Sequence, residues 1–200
     1  MLQIKLLEST HSFSANTYLV TAGNESAIVD PTVPFTPSLT DTEVTYILLT
    51  HAHFDHILEL DSWVKNTSAK VITTKECAIS LKDPMRNCFK LYDGSDRVYL
   101  GPTALVANGD SLPLGDLNIR VMETPGHTSG SCVFVIDNVA FVGDTVFENG
   151  GFGRYDLPTG SLVMLRDSIN KILRLPDDMI LYPGHGGCTT VKEYKNYFRG

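Results

Sequence analysis

The chain has 200 residues, 42% hydrophobic and 20% charged, the balance of a single globular domain over residues 1–200. Sixteen Lys and Arg against 23 Asp and Glu leave a net charge of −7 with no basic cluster, which argues against an extended nucleic-acid footprint. No apolar run approaches the roughly 18 residues of a bilayer span, and the opening Met1-Leu2-Gln3-Ile4-Lys5 lacks a signal-peptide core, so a cytoplasmic protein without membrane contact is expected.

Short apolar, β-branched runs predict strands at Asn16–Thr21, Ala27–Val29 and Val44–Leu49. A helix is predicted to start near Asp55 and to bury Ile57, Leu60 and Val64. Residues Asp83–Pro102 show no firm periodicity and read as a long surface connection, of the kind that often lies over a site. Further strands are predicted at Leu117–Met122, Cys132–Ile136 and Val139–Val142. In the first of these, Asn118 and Arg120 alternate with apolar residues and mark a wetter face. Asp137-Asn138 suits a two-residue hairpin turn. Leu162, Leu165, Ile169, Ile172 and Leu173 carry helical spacing, with Ser161 as N-cap and Pro176 as the stop. A last short apolar run spans Met179–Tyr182. Strands alternating with helices indicate a layered α/β or α+β domain. Cys77, Cys88, Cys132 and Cys188 form no C-x-x-C pair and read as reduced thiols, Cys132 in the core and Cys188 in a loop.

The stretch His51-Ala52-His53-Phe54-Asp55-His56 directly follows an apolar run. Imidazole nitrogen and carboxylate oxygen are donors preferred by zinc, iron and similar divalent metals. His51 and His53 are two apart and point the same way in extended backbone, whereas Asp55 and His56 diverge as the chain turns. That arrangement suits two neighbouring metals better than one. The other candidates, His127, Asp144 and His185, each follow a predicted strand and sit beside Gly or Pro, where backbone can approach an ion. His11, in a Ser-rich stretch, reads as an ordinary polar residue.

These residues resemble the metallo-β-lactamase fold superfamily, and within it the glyoxalase II-like hydrolases. The similarity runs from Asn16-Thr17-Tyr18-Leu19-Val20 and Ile28-Val29-Asp30-Pro31 through the histidine motif and Leu114-Gly115-Asp116-Leu117. It continues through Thr124-Pro125-Gly126-His127-Thr128-Ser129-Gly130-Ser131, Gly143-Asp144-Thr145-Val146-Phe147 and Gly153-Arg154-Tyr155-Asp156-Leu157-Pro158 to Pro183-Gly184-His185-Gly186. The resemblance implies an α+β fold, a four-layer αβ/βα sandwich. It implies one metal on His51, His53 and His127, a second on Asp55, His56 and His185, and Asp144 bridging both. Asp30 resembles the carboxylate that lies beneath the metal loop in this family, although an Asp that forms the turn before Pro31 reads equally well.

Two divalent ions per chain, zinc first and iron or manganese as alternatives, would activate a bridging hydroxide and polarise a substrate carbonyl. Asp55 and Asp144 then act as catalytic ligands that orient water. Formal charge leaves such a centre slightly positive, which favours a small anionic thioester as partner. The resemblance places Arg154 and Tyr155 at the substrate. It implies a thioesterase acting on S-acyl thiols such as S-lactoylglutathione. The sequence ends 15 residues after His185, so the resemblance is to the short glyoxalase II-like proteins, and the helical glutathione-gripping domain of authentic glyoxalase II is not expected. An alternative is a mononuclear-iron persulfide dioxygenase using His51, His127 and Asp144, and a further one is a lactonase. A second metal held by Cys is disfavoured by Asp144, and nothing in the pattern specifies an oligomeric state.

Overall fold

A computed structural model describes residues 1–197. Two six-stranded sheets face each other. The first takes β1 (Leu2–Leu7), β2 (Thr17–Ala22), β3 (Glu25–Val29), β4 (Glu43–Leu48), β5 (Lys70–Thr74) and β6 (Ala104–Val106) in chain order. The second runs β12 (Thr189–Thr190), β11 (Ile180–Pro183), β10 (Val139–Gly143), β9 (Cys132–Ile136), β8 (Leu117–Glu123) and β7 (Ser111–Leu114). Strands β3 to β6 pair in parallel, as do β10 and β11, and the remaining pairs are antiparallel.

Period-two alternation sorts each strand between two apolar layers. Tyr18, Val20 and Ala22 of β2 point inward with Phe134 and Ile136 of β9, making the core between the sheets. Leu19, Ile28 and Ile47 face outward onto α1 (Leu60–Asn66) and α2 (Lys75–Ser80), through Leu60, Trp63 and Cys77. Val133, Val135 and Val142 face outward in the second sheet, onto α4 (Leu162–Ile172) and α5 (Val191–Asn196), through Ile172, Val191 and Tyr194. The result is the expected four-layer αβ/βα sandwich.

The hairpin at Asp137-Asn138 forms with Asp137 at φ 52°, the positive φ that a tight β9–β10 turn demands. Ser161 caps α4, its Oγ accepting from Met164 N, and Asn118 and Arg120 are the exposed face of β8. Cys132 is core and Cys188 is exposed in a loop.

Two expectations need correction. No helix starts at Asp55: Phe54–His56 is a single 3₁₀ turn, and α1 begins only at Leu60, burying Leu60 and Trp63 and leaving Val64 half-buried. The side chains of Asp55 and His56 are aimed into the site, so the chain unwinds between them and α1, with Ile57 at φ −127°. Residues Asp83–Pro102 are not merely a surface connection. They contain α3 (Phe89–Tyr92) and bury Asn87, Cys88, Phe89 and Tyr99. The Asn87 side chain accepts from Phe89 N and donates to the Arg97 carbonyl, supplying the partners that regular structure would otherwise provide. Among the described residues, no helix is long and apolar enough to cross a membrane.

Candidate metal centre

Four loops leaving strand ends converge. The loop after β4 brings His51, His53, Asp55 and His56. The loops after β8, β10 and β11 bring His127, Asp144 and His185. Three overlapping groups each have their ligand atoms within 4.8 Å of one another: His51/His53/His127, His51/His56/Asp144 and Asp55/His56/His185. All the ligands expected from the sequence are therefore brought together. Two-residue spacing does put His51 and His53 on one side, with ring centroids 4.8 Å apart.

Outer contacts fix most of the ring orientations. His127 Nδ1 donates to the Arg154 carbonyl at 2.7 Å, which leaves a lone pair on Nε2. Thr50 Oγ1 donates to Asp30 Oδ2 at 2.6 Å, so towards His51 Nδ1, 3.1 Å away, it acts as acceptor. His51 therefore also turns an Nε2 lone pair inward. The two Nε2 atoms lie 3.2 Å apart, and His53 Nδ1 is 2.9 Å from His127 Nε2. Burial holds His51, His53 and His127 below the ordinary imidazole range, His53 at about 3, so at neutral pH each ring is neutral and keeps one nitrogen lone pair. The facing lone pairs of His51 Nε2 and His127 Nε2 suit a shared cation.

The second group is charged differently. His56 Nδ1 donates to Asp30 Oδ2 at 2.8 Å, and its Nε2 stands 3.2 Å from Asp144 Oδ1, close enough for an ion pair but without hydrogen-bond geometry. Burial opposes a charge on His56, but the carboxylates of Asp144 and Asp30 outweigh it and hold the imidazole well above its ordinary range. Burial likewise works against ionised Asp144, and His56 with its neighbours overcomes it, keeping that carboxyl well below the usual value. Asp144 Oδ2 lies 3.6 Å from His127 Nε2 and 3.7 Å from His185 Nε2, so this one oxygen lies near both groups. Asp55 Oδ2 is 3.1 Å from His185 Nε2; burial works against the Asp55 carboxylate, but this contact together with His56 and His53 overcomes it and lowers the carboxyl. This donor set fits two divalent ions sharing Asp144. His185, with its side chain 37% exposed, opens the site to solvent on the Asp55 side.

Close approach requires Gly184: a Cβ there would stand 2.2 Å from Asp144 Oδ1 and 2.5 Å from His56 Cε1. The His185 loop is also tied to the start of β2. Asn16 Nδ2 donates to the carbonyls of Pro183 and Gly186, and Tyr18 Oη donates to that of Pro183.

Arg154 reaches the centre differently from the expectation. Its carbonyl holds His127, while the guanidinium forks onto Asp156 at 2.8 Å for each contact and is largely exposed. Tyr155 is 41% exposed and lines an apolar groove with Phe152, Leu162 and Ile169. Thr50 and an aromatic rim were missed from sequence. Phe54 stacks on Tyr92 at 4.1 Å, and Phe13 meets Tyr92 edge-on at 5.9 Å. A Phe between two ligands was the available signal for the rim. A backbone carbonyl leaves no signal in sequence.

Comparison with known proteins gives a consistent answer. Residues 12–185 match the profile of the metallo-beta-lactamase superfamily. The probable metallo-hydrolase MJ0888 of Methanocaldococcus jannaschii is 30% identical over 88% of this chain and 89% of its own. Hydroxyacylglutathione hydrolase GloC of Haemophilus influenzae is 32% identical over 78% and 74%. The crystal structure of BLEG-1 B3 metallo-beta-lactamase superposes with a TM-score of 0.88 at 32% identity, covering 97% of each chain.

Proposed function

The chain belongs to the metallo-β-lactamase superfamily, and from that premise we propose that it is a dinuclear hydrolase of small anionic thioesters of the S-lactoylglutathione type. One observation carries the reading. Two ligand trios meet at Asp144, whose Oδ2 lies near a histidine of each, His127 and His185, while Oδ1 faces His56. His51, His53 and His127 form the first metal position, Asp55, His56 and His185 the second, and Asp144 joins them.

When bound, two zinc ions supply a water nucleophile at neutral pH and polarise a carbonyl. The protein's residues do the rest. Burial of the first trio excludes bulk water, and the exposed side of His185 leaves the second position open to substrate. Asp144 and Asp55 orient the attacking water through their carboxylate oxygens. Phe54, Tyr92 and Phe13 offer an apolar wall for the acyl or thiol chain. Arg154, Asp156 and Tyr155 border the anionic end of the substrate, and a substrate carboxylate would have to compete with Asp156 for the guanidinium.

Elemental analysis of natively purified protein should give about two ions per chain and identify the metal. The same protein should release free thiol from S-lactoylglutathione. No thiol release by fully loaded protein would overturn the thioesterase reading. Activity on a cephalosporin or a homoserine lactone alone would redirect it within the hydrolases. The second reading, a one-iron persulfide dioxygenase, draws on the proximity of His51, His127 and Asp144. Oxygen uptake with a persulfide by iron-loaded protein would select it.

A further inference from the structure

The network beneath the metal positions passes through one hydroxyl. Thr50 is 1% exposed and precedes His51. Its Oγ1 donates to Asp30 Oδ2 and accepts from His51 Nδ1, while its N–H donates to Asp30 Oδ1 at 2.8 Å. The same Asp30 Oδ2 accepts from His56 Nδ1. One carboxylate thus orients a ligand in each trio, His56 directly and His51 through Thr50. The side chain has little freedom to leave this role. Its Oγ1 and Cβ lie 2.5 and 2.7 Å from where a Cβ on Gly143 would be, against the backbone that carries Asp144. Its carbonyl accepts from Cys132 N at 2.9 Å, which ties it to the second sheet.

We infer that Thr50 is a positioning residue that extends the orienting action of Asp30 from the second metal position to the first, by fixing the proton of His51 on Nδ1. The hydroxyl has one hydrogen, and Asp30 takes it. His51 can then satisfy the oxygen only with Nδ1–H, and Nε2 is left as the metal-facing donor. Without the hydroxyl, His51 Nδ1–H loses its acceptor and the ring is free to exchange tautomers or turn. This inference rests on the two-position metal centre and is independent of the reaction catalysed there.

The test is zinc titration of the metal-free chain against a chromophoric chelator, with long-range ¹⁵N–¹H correlation of the histidine rings to assign each step. Thr50→Val keeps the volume and removes the hydroxyl. It should weaken the His51/His53/His127 position about 10-fold or more and the Asp55/His56/His185 position less. Thr50→Ser should restore both, a rescue that a packing role for the methyl group would not give. The wild-type His51 ring should read as protonated on Nδ1, and the valine variant should lose that preference. An unchanged isotherm and an unchanged His51 pattern in Thr50→Val would overturn the inference while leaving the metal centre standing. A wild-type chain that binds no zinc would overturn both. If Thr50→Val does not fold, the wild-type and serine spectra decide, and a His51 protonated on Nε2 in either refutes the inference.

Discussion

Replacing Asp30 by Asn tests the foundation of the centre without touching a ligand. Asp30 is 2% exposed, and its oxygens accept from Thr50 N at 2.8 Å, Thr50 Oγ1 at 2.6 Å and His56 Nδ1 at 2.8 Å. Its φ is 49°, a region Asn tolerates, so backbone strain does not confound the result as it would for Ala. An amide must turn its NH₂ towards one set of donors. Facing Thr50 N, it leaves a buried N–H without an acceptor and lowers stability by about 1–3 kcal/mol. Facing His56, it drives the ring to the other tautomer and points Nε2–H at the second metal position. Either orientation also removes the negative charge behind His56. The loss at the second position should be about 10–100-fold in affinity, or about 1.4–2.7 kcal/mol. The first position should follow to a smaller extent through Thr50. Competition titration with a chelator measures both constants, and thermal unfolding of the metal-free form measures the stability term. An Asp30→Asn protein holding two ions with wild-type constants would refute the orienting role of this carboxylate.

Gly184→Ala should cost the second ion, because the new methyl group overlaps Asp144 Oδ1 and His56; stability should fall by about 1–3 kcal/mol. Retention of two ions per chain in elemental analysis would show that the His185 loop can retreat. Metal uptake should release protons, since the raised His56 stays protonated above pH 6.5 in the metal-free chain and must lose that proton to ligate. Affinity at the second position should therefore rise with pH through that range, which calorimetry in buffers of different ionisation enthalpy will detect; a pH-independent constant would contradict it. Of the cysteines, only Cys188 should react quickly with a disulfide reagent at pH 8. Burial pushes Cys88 up to about 11, Cys77 to about 12 and Cys132 well above its ordinary value; Cys188 is raised too, but it alone of the four is exposed. Rapid modification of a Cys188→Ser variant would contradict the observed burial.

The strands most legible in the sequence are those buried on both faces. Ala27–Val29, Cys132–Ile136 and Val139–Val142 all lie within strands, because each sheet is covered by the other and by helices. Edge and short strands escaped, and so did β5, although Val71–Thr74 are buried between β4 and β6. β1 carries Lys5 and half-exposed residues, β6 has only three residues, and β7 includes Pro113 at the sheet margin. The ligands were legible because their chemistry is carried by side chains with recognisable spacing. What supports them was only partly so. Asp30 was noticed through its neighbours, whereas the Arg154 carbonyl acts with an atom that every residue possesses. Arg154 itself was noticed for its charge, and the fold uses that charge on Asp156.

Each trio draws on both sheets. His51 and His53 come from the first half and His127 from the second; Asp55 and His56 come from the first and His185 from the second. Either ion, once bound, would therefore act as a rivet between two half-molecules whose apolar faces meet behind it. The chain has four cysteines, none of them in a disulfide, so this seam is closed without sulfur. Each ion present at about 100 times its dissociation constant would add roughly 2.7 kcal/mol to the closed form. Under the proposed function, catalytic readiness and the cohesion of the halves would then rise and fall together with the metal supply.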